Sequence, residues 1–320
     1  MAVYTEVDDA ELIHFVSTYD IGALLSCKGI AEGVENSNFY LHTRAGSFIL
    51  TLYEKRVNES DLPFFLGLME HLAARGLNCP QPVKNRDGVA LGRLSGRPAV
   101  IVSFLEGYSI HHPEPAHCAE LGGALARLHL AGADFAASRP NGLSVTDWRP
   151  LFAPHAERAD EVARGMRTLV ESELSLLERD WPRDLPQGVI HADLFPDNVF
   201  FLGDRISGLI DFYFACTDAL AYDLAICLNA WCFGPDHVYR RDCGAALLAA
   251  YQHLRPLNES ETRAFPILAR GAAMRFLLTR FVDSINVPPG ALVRPKDPKE
   301  YLAKLRFHRE VAAIDAYGLS

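Results

Sequence analysis

His191-Ala192-Asp193-Leu194-Phe195-Pro196-Asp197-Asn198, with Asp211 thirteen positions further on inside Ile210-Asp211-Phe212, decides how the rest of the chain is read. The spacing is H-x-D-x-x-x-x-N followed by an acidic residue at the end of an apolar run, a phosphoryl-transfer pattern. That chemistry needs one carboxylate to receive the proton of an incoming hydroxyl and oxygen ligands to hold Mg2+ against the phosphates of ATP. Asp193 fits the first role; Asn198 and Asp211 fit the second. His191 packs or hydrogen-bonds in support of the loop, and Pro196 stiffens it between base and ligand. Asp197 reads as a turn residue. Singly, each of these has an ordinary counterpart, a packed histidine or a carboxylate capping a turn. The combination, with an apolar strand before it and another leading into Asp211, is what carries the reading.

Outward from this loop the chain changes character. On the amino-terminal side, 8–19 is an amphipathic helix capped by Asp8 or Asp9, with Leu12, Ile13, Phe15 and Val16 as its apolar positions. Segments 26–32, 38–43 and 47–53 read as strands, the last alternating Phe48, Leu50 and Leu52 with Ile49, Thr51 and Tyr53. Asp61-Leu62-Pro63 opens a helix to Arg75, stopped by Gly76. Asp87-Gly88 predicts a hairpin between two further strands, and 99–104 is an apolar strand. Beyond Gly107 the period becomes helical: 114–131, 149–163, 164–180, and nearly everything from Ala219 through 301–316. A β island at 188–210 interrupts the helices where the charged motif lies. The pattern predicts an α+β chain of two lobes, a β-rich nucleotide-binding lobe over residues 1–105 and a mainly helical catalytic and substrate lobe over 106–320.

Bulk properties narrow the function. The chain has 320 residues, 49% of them hydrophobic, and a net charge of −9, which disfavours nucleic-acid and anionic-membrane partners. Neither a signal peptide nor an uncharged apolar run of membrane-spanning length is evident, so a cytoplasmic protein with small-molecule partners is expected. The seven cysteines lack C-x-x-C spacing and read as reduced thiols filling the core.

The region Gly29-Ile30-Ala31-Glu32-Gly33-Val34-Glu35-Asn36-Ser37-Asn38 suits a flap over nucleotide phosphates, with Gly29 and Gly33 allowing close approach and Asn36 and Ser37 donating hydrogen bonds. An ordinary hairpin turn would use the same residues.

Taken together, HADLFPDN, LIDFYFA, KGIAEGVENSNF at 28–39, SFILTLYE at 47–54 and DLPFFLGLMEHL at 61–72 resemble the aminoglycoside-phosphotransferase/choline-kinase group, and within it the homoserine kinase family of bacterial threonine biosynthesis. The resemblance runs almost the full length. It implies a protein-kinase-like fold, ATP as co-substrate with Mg2+, Asp193 as base toward the homoserine hydroxyl, and an adenine-contacting hinge that includes Ser103 and Leu105. Choline, an aminoglycoside or a sugar as acceptor, or a nucleotide-binding pseudokinase, are the alternatives. One departure stands out. Thr51 occupies the strand position where the wider pattern has a phosphate-binding lysine, and Phe64 and Phe65 stand where its glutamate partner is expected. Lys55 and Arg56 are the replacement cations considered. An amino-acid acceptor calls for an arginine and an acid; Arg275 is the first choice for its carboxylate and Asp218 for its ammonium. Arg280, Asp283 and Asp223 are further candidates for these contacts, with a loop-stabilising role for Asp223 and a surface pair for Arg280 as the structural alternatives, and Tyr222 and Trp231 read as core.

Overall fold

Asp8 accepts hydrogen bonds from the amides of Ala10 (2.9 Å) and Glu11 (3.1 Å), which starts helix α1 (Asp9–Ser17) where the sequence placed its cap. The computed structural model of the chain describes residues 5–30, 36–54, 57–286 and 295–319. It divides into two compact units, Met1–Gly107 with Ser207–Tyr213, and Tyr108–Ile206 with Phe214–Ser320.

In the first unit, α1 is followed by β1 (Leu24–Gly29), β2 (Ser37–Thr43), β3 (Gly46–Leu52), α2 (Leu62–Ala74), β4 (Gly92–Leu94) and β5 (Arg97–Ser103). The strands form one antiparallel sheet in the order β1-β2-β3-β5-β4. Along β2, Ser37, Phe39, Leu41 and Thr43 are buried in strict alternation, the period of a strand with one face on a core. Leu12, Phe15 and Val16 of α1 join Leu41, Leu50, Leu52 and Ile101 in that core. The hairpin expected at Asp87-Gly88 is not there. Asn85 Oδ1 instead accepts from the amides of Asp87 (3.0 Å) and Val89 (2.9 Å), closing a side-chain-held turn that no pair of strands flanks. The true hairpin joins β4 and β5 through Ser95-Gly96, both with positive φ (50° and 72°), as a turn matched to strand twist demands. The excursion 207–213 is tied to the same unit by Ser207 Oγ donating to Glu106 O (2.7 Å) and Leu209 N donating to Asn78 O (3.0 Å).

The second unit begins with β6 (Tyr108–Ser109) and α3 (Pro115–Ala131). A single helix over 149–163 is not what forms. Helix α4 (Val145–Phe152) starts earlier, on a reciprocal cap between Ser144 and Asp147, and passes into a 3-10 segment before α5 (Ala159–Val162). Pro154, which lacks an N–H, sits at the start of that tighter segment. Next come α6 (Met166–Asp180), β7 (Gln187–Ile190), β8 (Val199–Leu202), β9 (Arg205–Leu209, of which Ser207 onward is counted in the first unit) and β10 (Cys216–Ala219). The chain ends with α7 (Leu220–Trp231), α8 (Arg241–Leu254), α9 (Glu259–Ile285) and α10 (Pro298–Arg309), so the helix expected over 301–316 stops at Arg309. Strand β10 was not foreseen. It pairs antiparallel with β7, Cys216 opposite Ile190, at the very entrance to the charged loop. All seven cysteines are free, and Cys27 alone is exposed. No described helix is long and apolar enough to cross a membrane.

Candidate active site

The loop from His191 to Asn198 leaves β7 and enters β8 through a 3-10 turn, Pro196–Asn198. Its backbone groups have named partners. Asp223, in the first turn of α7, accepts from His191 N (2.7 Å, Oδ2) and Ala192 N (2.9 Å, Oδ1). Arg275 Nη1 on α9 donates to Ala192 O (2.8 Å), and Trp231 Nε1 donates to Leu194 O (2.8 Å). Asp193 N donates to His191 Nδ1 (3.3 Å), and Asn198 Nδ2 donates both to Asp193 O (2.8 Å) and to its carboxylate (3.1 Å). Ala192 takes φ +63°, an uncommon conformation for a non-glycine residue, and the clamp on either side of its peptide groups holds it there. The half-buried Asp193 is thus presented from a fixed frame. Because the Asn198 amide nitrogen is committed to Asp193, its carbonyl oxygen is the atom left for a hard cation.

The support behind the loop is buried. Asp223 is fully inaccessible, and His129 Nε2 lies 3.2 Å from its Oδ2 while His129 Nδ1 meets Tyr251 Oη at 2.7 Å. Burial by itself would raise the Asp223 carboxyl. The hydrogen bonds from His129 and the His191 amide outweigh it and hold the group below its usual range. Burial pushes His129 down in turn, so a neutral ring faces a carboxylate. Of the two roles the sequence left open for Asp223, substrate acid and loop stabiliser, the second has hydrogen bonds behind it, while Trp231 was taken for core and His129 passed over. Asp223, Cys227 and Trp231 recur at i, i+4 and i+8 on α7, and a polar atom at both ends of that stripe was the available signal.

Asp211, in the first unit, is exposed and has φ +64°. Close by is Tyr213, whose phenol is pushed up to about 12 by burial, the Asp211 charge adding to it and hydrogen bonds with Tyr53 and Thr51 opposing it. Thr51, opposite Asn38 in the sheet, donates to Asn38 Oδ1 (2.8 Å), and Tyr53 Oη donates to Tyr213 Oη (2.9 Å). Phe65 meets the edge of Tyr213 with centroids 5.7 Å apart. Where a lysine–glutamate pair was missing from the sequence, a hydroxyl–amide bond and a set of packed rings occupy the positions.

Several nucleotide-side expectations are redirected. Ser37 Oγ is buried and spends its only proton on Glu54 Oε1 (2.8 Å), so it is not the side-chain phosphate donor assigned to it. Asn36 Oδ1 accepts from Glu54 N (3.3 Å). Gly29 closes β1 opposite Phe39. Gly33, Lys55 and Arg56 lie outside the described residues. Ser103 bonds back to Gln81, its N donating to Gln81 O (2.9 Å) and its Oγ accepting from Gln81 N (2.9 Å), and Leu105 lies against Gly208.

Of the two residues expected to contact the acceptor, Arg275 is 2% exposed and joined to the loop His191–Asn198. Asp218 is half-buried, accepting from Asn141 Nδ2 (2.7 Å) and Ala219 N (2.7 Å). Arg280 is not a surface pair. It is buried, donates to Glu300 Oε2 (2.5 Å) and stacks over Tyr301 at 4.4 Å, because α10 covers that face of α9.

Comparison with known proteins follows the same line. Residues 26–257 match the model of the phosphotransferase enzyme family. The chain is 67% identical over 318 residues to a homoserine kinase of Methylobacterium sp. (strain 4-46), covering 99% of each. It is 65% identical over 320 residues to one of Bradyrhizobium diazoefficiens, covering 100% of this chain and 98% of that one. Among solved structures, amicoumacin kinase hAmiN in complex with AMP-PNP, Ca2+ and Ami superposes with a TM-score of 0.69 at 15% identity, over 96% of this chain and 95% of that one. Choline kinase from Cryptosporidium parvum Iowa II gives 0.68 at 13%, over 95% of each.

Proposed function

We propose, from the premise that the chain belongs to the homoserine kinases of the phosphotransferase enzyme family, the roles by which its residues move the γ-phosphoryl group of ATP to the side-chain hydroxyl of L-homoserine. The products are O-phospho-L-homoserine and ADP, a step of threonine biosynthesis in the cytoplasm. Asp193 orients the acceptor hydroxyl and takes its proton as the oxygen bonds to phosphorus. Asn198 and Asp211 offer oxygen atoms suited to Mg2+, which when bound neutralises phosphate charge. Gly29, Gly33 and Asn36 form the phosphate side, and Ser103 and Leu105 the adenine side. Arg275 and Asp218 receive the carboxylate and ammonium of the amino acid.

The observation that carries this reading is the clamp on the base loop. Asp223, Arg275 and Trp231 fix its backbone from buried positions, and Asn198 is bonded to the carboxylate it serves beside. With Mg-ATP, L-homoserine is expected to release ADP stoichiometrically with O-phospho-L-homoserine, while choline and aminoglycosides do not. The Asp193→Asn variant is expected to lose about 10²- to 10⁴-fold in turnover with ATP affinity unchanged. Full activity in that variant removes Asp193 from the base role; a wild-type protein that binds ATP but turns over no alcohol is a pseudokinase.

A further inference from the structure

Phe195 lies between Asp193 and Asn198 in the loop, and its backbone is bonded to both. Its N–H donates to Asp193 O (2.8 Å), the oxygen that also receives Asn198 Nδ2 (2.8 Å), and its own carbonyl accepts from Asn198 N (2.9 Å). It is also the residue from which the 3-10 turn Pro196–Asn198 starts. A shift of Phe195 therefore moves Asp193 and Asn198 together. Asp223, Arg275 and Trp231 hold the peptide groups of His191, Ala192 and Leu194, the first half of the loop. The second half is held through the ring of Phe195.

That ring is 9% exposed, and side chains from α9, α10 and the segment leading into α10 lie against it. Phe276 meets it edge-on with centroids 4.8 Å apart, and Tyr301 is tilted to it at 6.4 Å. Two cations also face it, the Arg280 guanidinium carbon at 6.0 Å from its centre and Lys296 Nζ at 5.1 Å. Like charges repel, so both stay at one ring only where the negative π face and nearby carboxylates offset the repulsion. Glu300 accepts from Arg280 (2.5 Å) and Asp197 from Lys296 (3.2 Å). The two cations are linked through the backbone as well. Arg280 Nη1 donates to Asp297 O (3.5 Å), and Asp297, next to Lys296, caps α10 by accepting from Lys299 N (2.8 Å). Arg280 is buried within this frame, whereas the Lys296 side chain is 60% exposed. Apolar bulk alone would fill the space with a leucine. An aromatic face is what draws the two cations to it.

We propose that Phe195 is a positioning residue for the transfer step, its ring anchoring the Asp193–Asn198 segment to α9 and α10, with Lys296 as the exposed cation that completes the anchor. The proposal rests on Asp193 being the base. It gives α10, which carries no residue of the proposed chemistry, a part in the rate.

The test combines Phe195→Leu, Lys296→Met, Lys296→Arg and the double variant Phe195→Leu/Lys296→Met, assayed well below the melting temperature of the weakest. Phe195→Leu is expected to lower kcat about 10- to 100-fold, the effect of a small misplacement of a reacting group, with KM for L-homoserine unchanged. Lys296→Met, at an exposed position, is expected to melt like wild type and to lose about 2- to 5-fold in kcat, with Lys296→Arg restoring it. In the double variant the lysine substitution is expected to add nothing to the loss, because the ring it acts through is gone. A lower melting temperature with kcat retained in Phe195→Leu makes the ring core filling and overturns the proposal. Additive losses in the double variant place the lysine's effect on Asp197 instead and remove Lys296 from the anchor. A wild-type protein inert toward L-homoserine overturns the proposed function itself; an active wild type with an indifferent Phe195→Leu removes Phe195 alone.

Discussion

Asp223 lies thirty residues beyond Asp193 in sequence, yet its two carboxylate oxygens hold the two amides that precede Asp193. Replacing it with asparagine keeps one acceptor oxygen and turns an amide nitrogen toward the second donor, leaving a buried N–H unmet. Asp223→Asn is therefore expected to lose about 1–3 kcal/mol of stability in urea titrations. Its kcat is expected to fall about tenfold or more as the base drifts, with little change in KM for ATP. At this scale the spacing of Asp193 and Asn198 was informative: the structure joins them, Asn198 Nδ2 donating to the Asp193 carboxylate (3.1 Å). Arg280 was left open between a substrate contact and a surface pair for the opposite reason. A charge in a string of residues does not say what covers it, and its partner Glu300 comes from a different helix. Trp231 was half read: its ring is core, but its Nε1 is the anchor for Leu194 O.

Helices were found where apolar period and caps agreed, as in α1 and α3, and misplaced where proline or side-chain turns set the local geometry. The hairpin moved from Asp87-Gly88 to Ser95-Gly96 because Asn85 bonds the first site to itself. Strand β10 was invisible because four residues, Cys216 to Ala219, carry too little alternation to announce pairing with β7. Packing between helices is a further level that periodicity leaves unstated. Gly122 of α3 lies so close to α8 that a Cβ there would stand 2.2 Å from Leu247 O, a backbone atom unable to swing aside. Alanine at an exposed helical glycine stabilises by about 1 kcal/mol. Gly122→Ala is expected to do the reverse, costing about 2 kcal/mol or more through forced separation of the two helices. A thermal-melt comparison of wild type and variant reads the sign directly.

For the molecule as a whole, the α+β organisation was legible in the change of period near Gly107, whereas the return of Ser207–Tyr213 to the first unit was not, since a short excursion leaves no mark in composition. Acid stability depends on His308, which bridges the Asn229 side chain (3.0 Å) and the Tyr317 hydroxyl (2.7 Å). Burial lowers its pKa to about 3, with Lys304 and Arg270 adding to the effect. The unfolded chain takes up a proton near the ordinary histidine value of about 6.5 and the folded chain does not. Stability is thus full above that value and falls by about 1.4 kcal/mol per pH unit from this residue as pH drops toward the folded value. Urea midpoints at pH 7 and pH 5 are expected to show the decline, and His308→Gln to flatten it by about one proton. Salt acts through a different part of the molecule. An ion pair between strand and helix loosens as ions screen it, whereas the contact of Phe65 with Tyr213 and of Tyr213 with Tyr53 carries no net charge to screen. Helix α2 is consequently fastened in a way that ionic strength cannot release, and strongly hydrated salts such as sulfate tighten it.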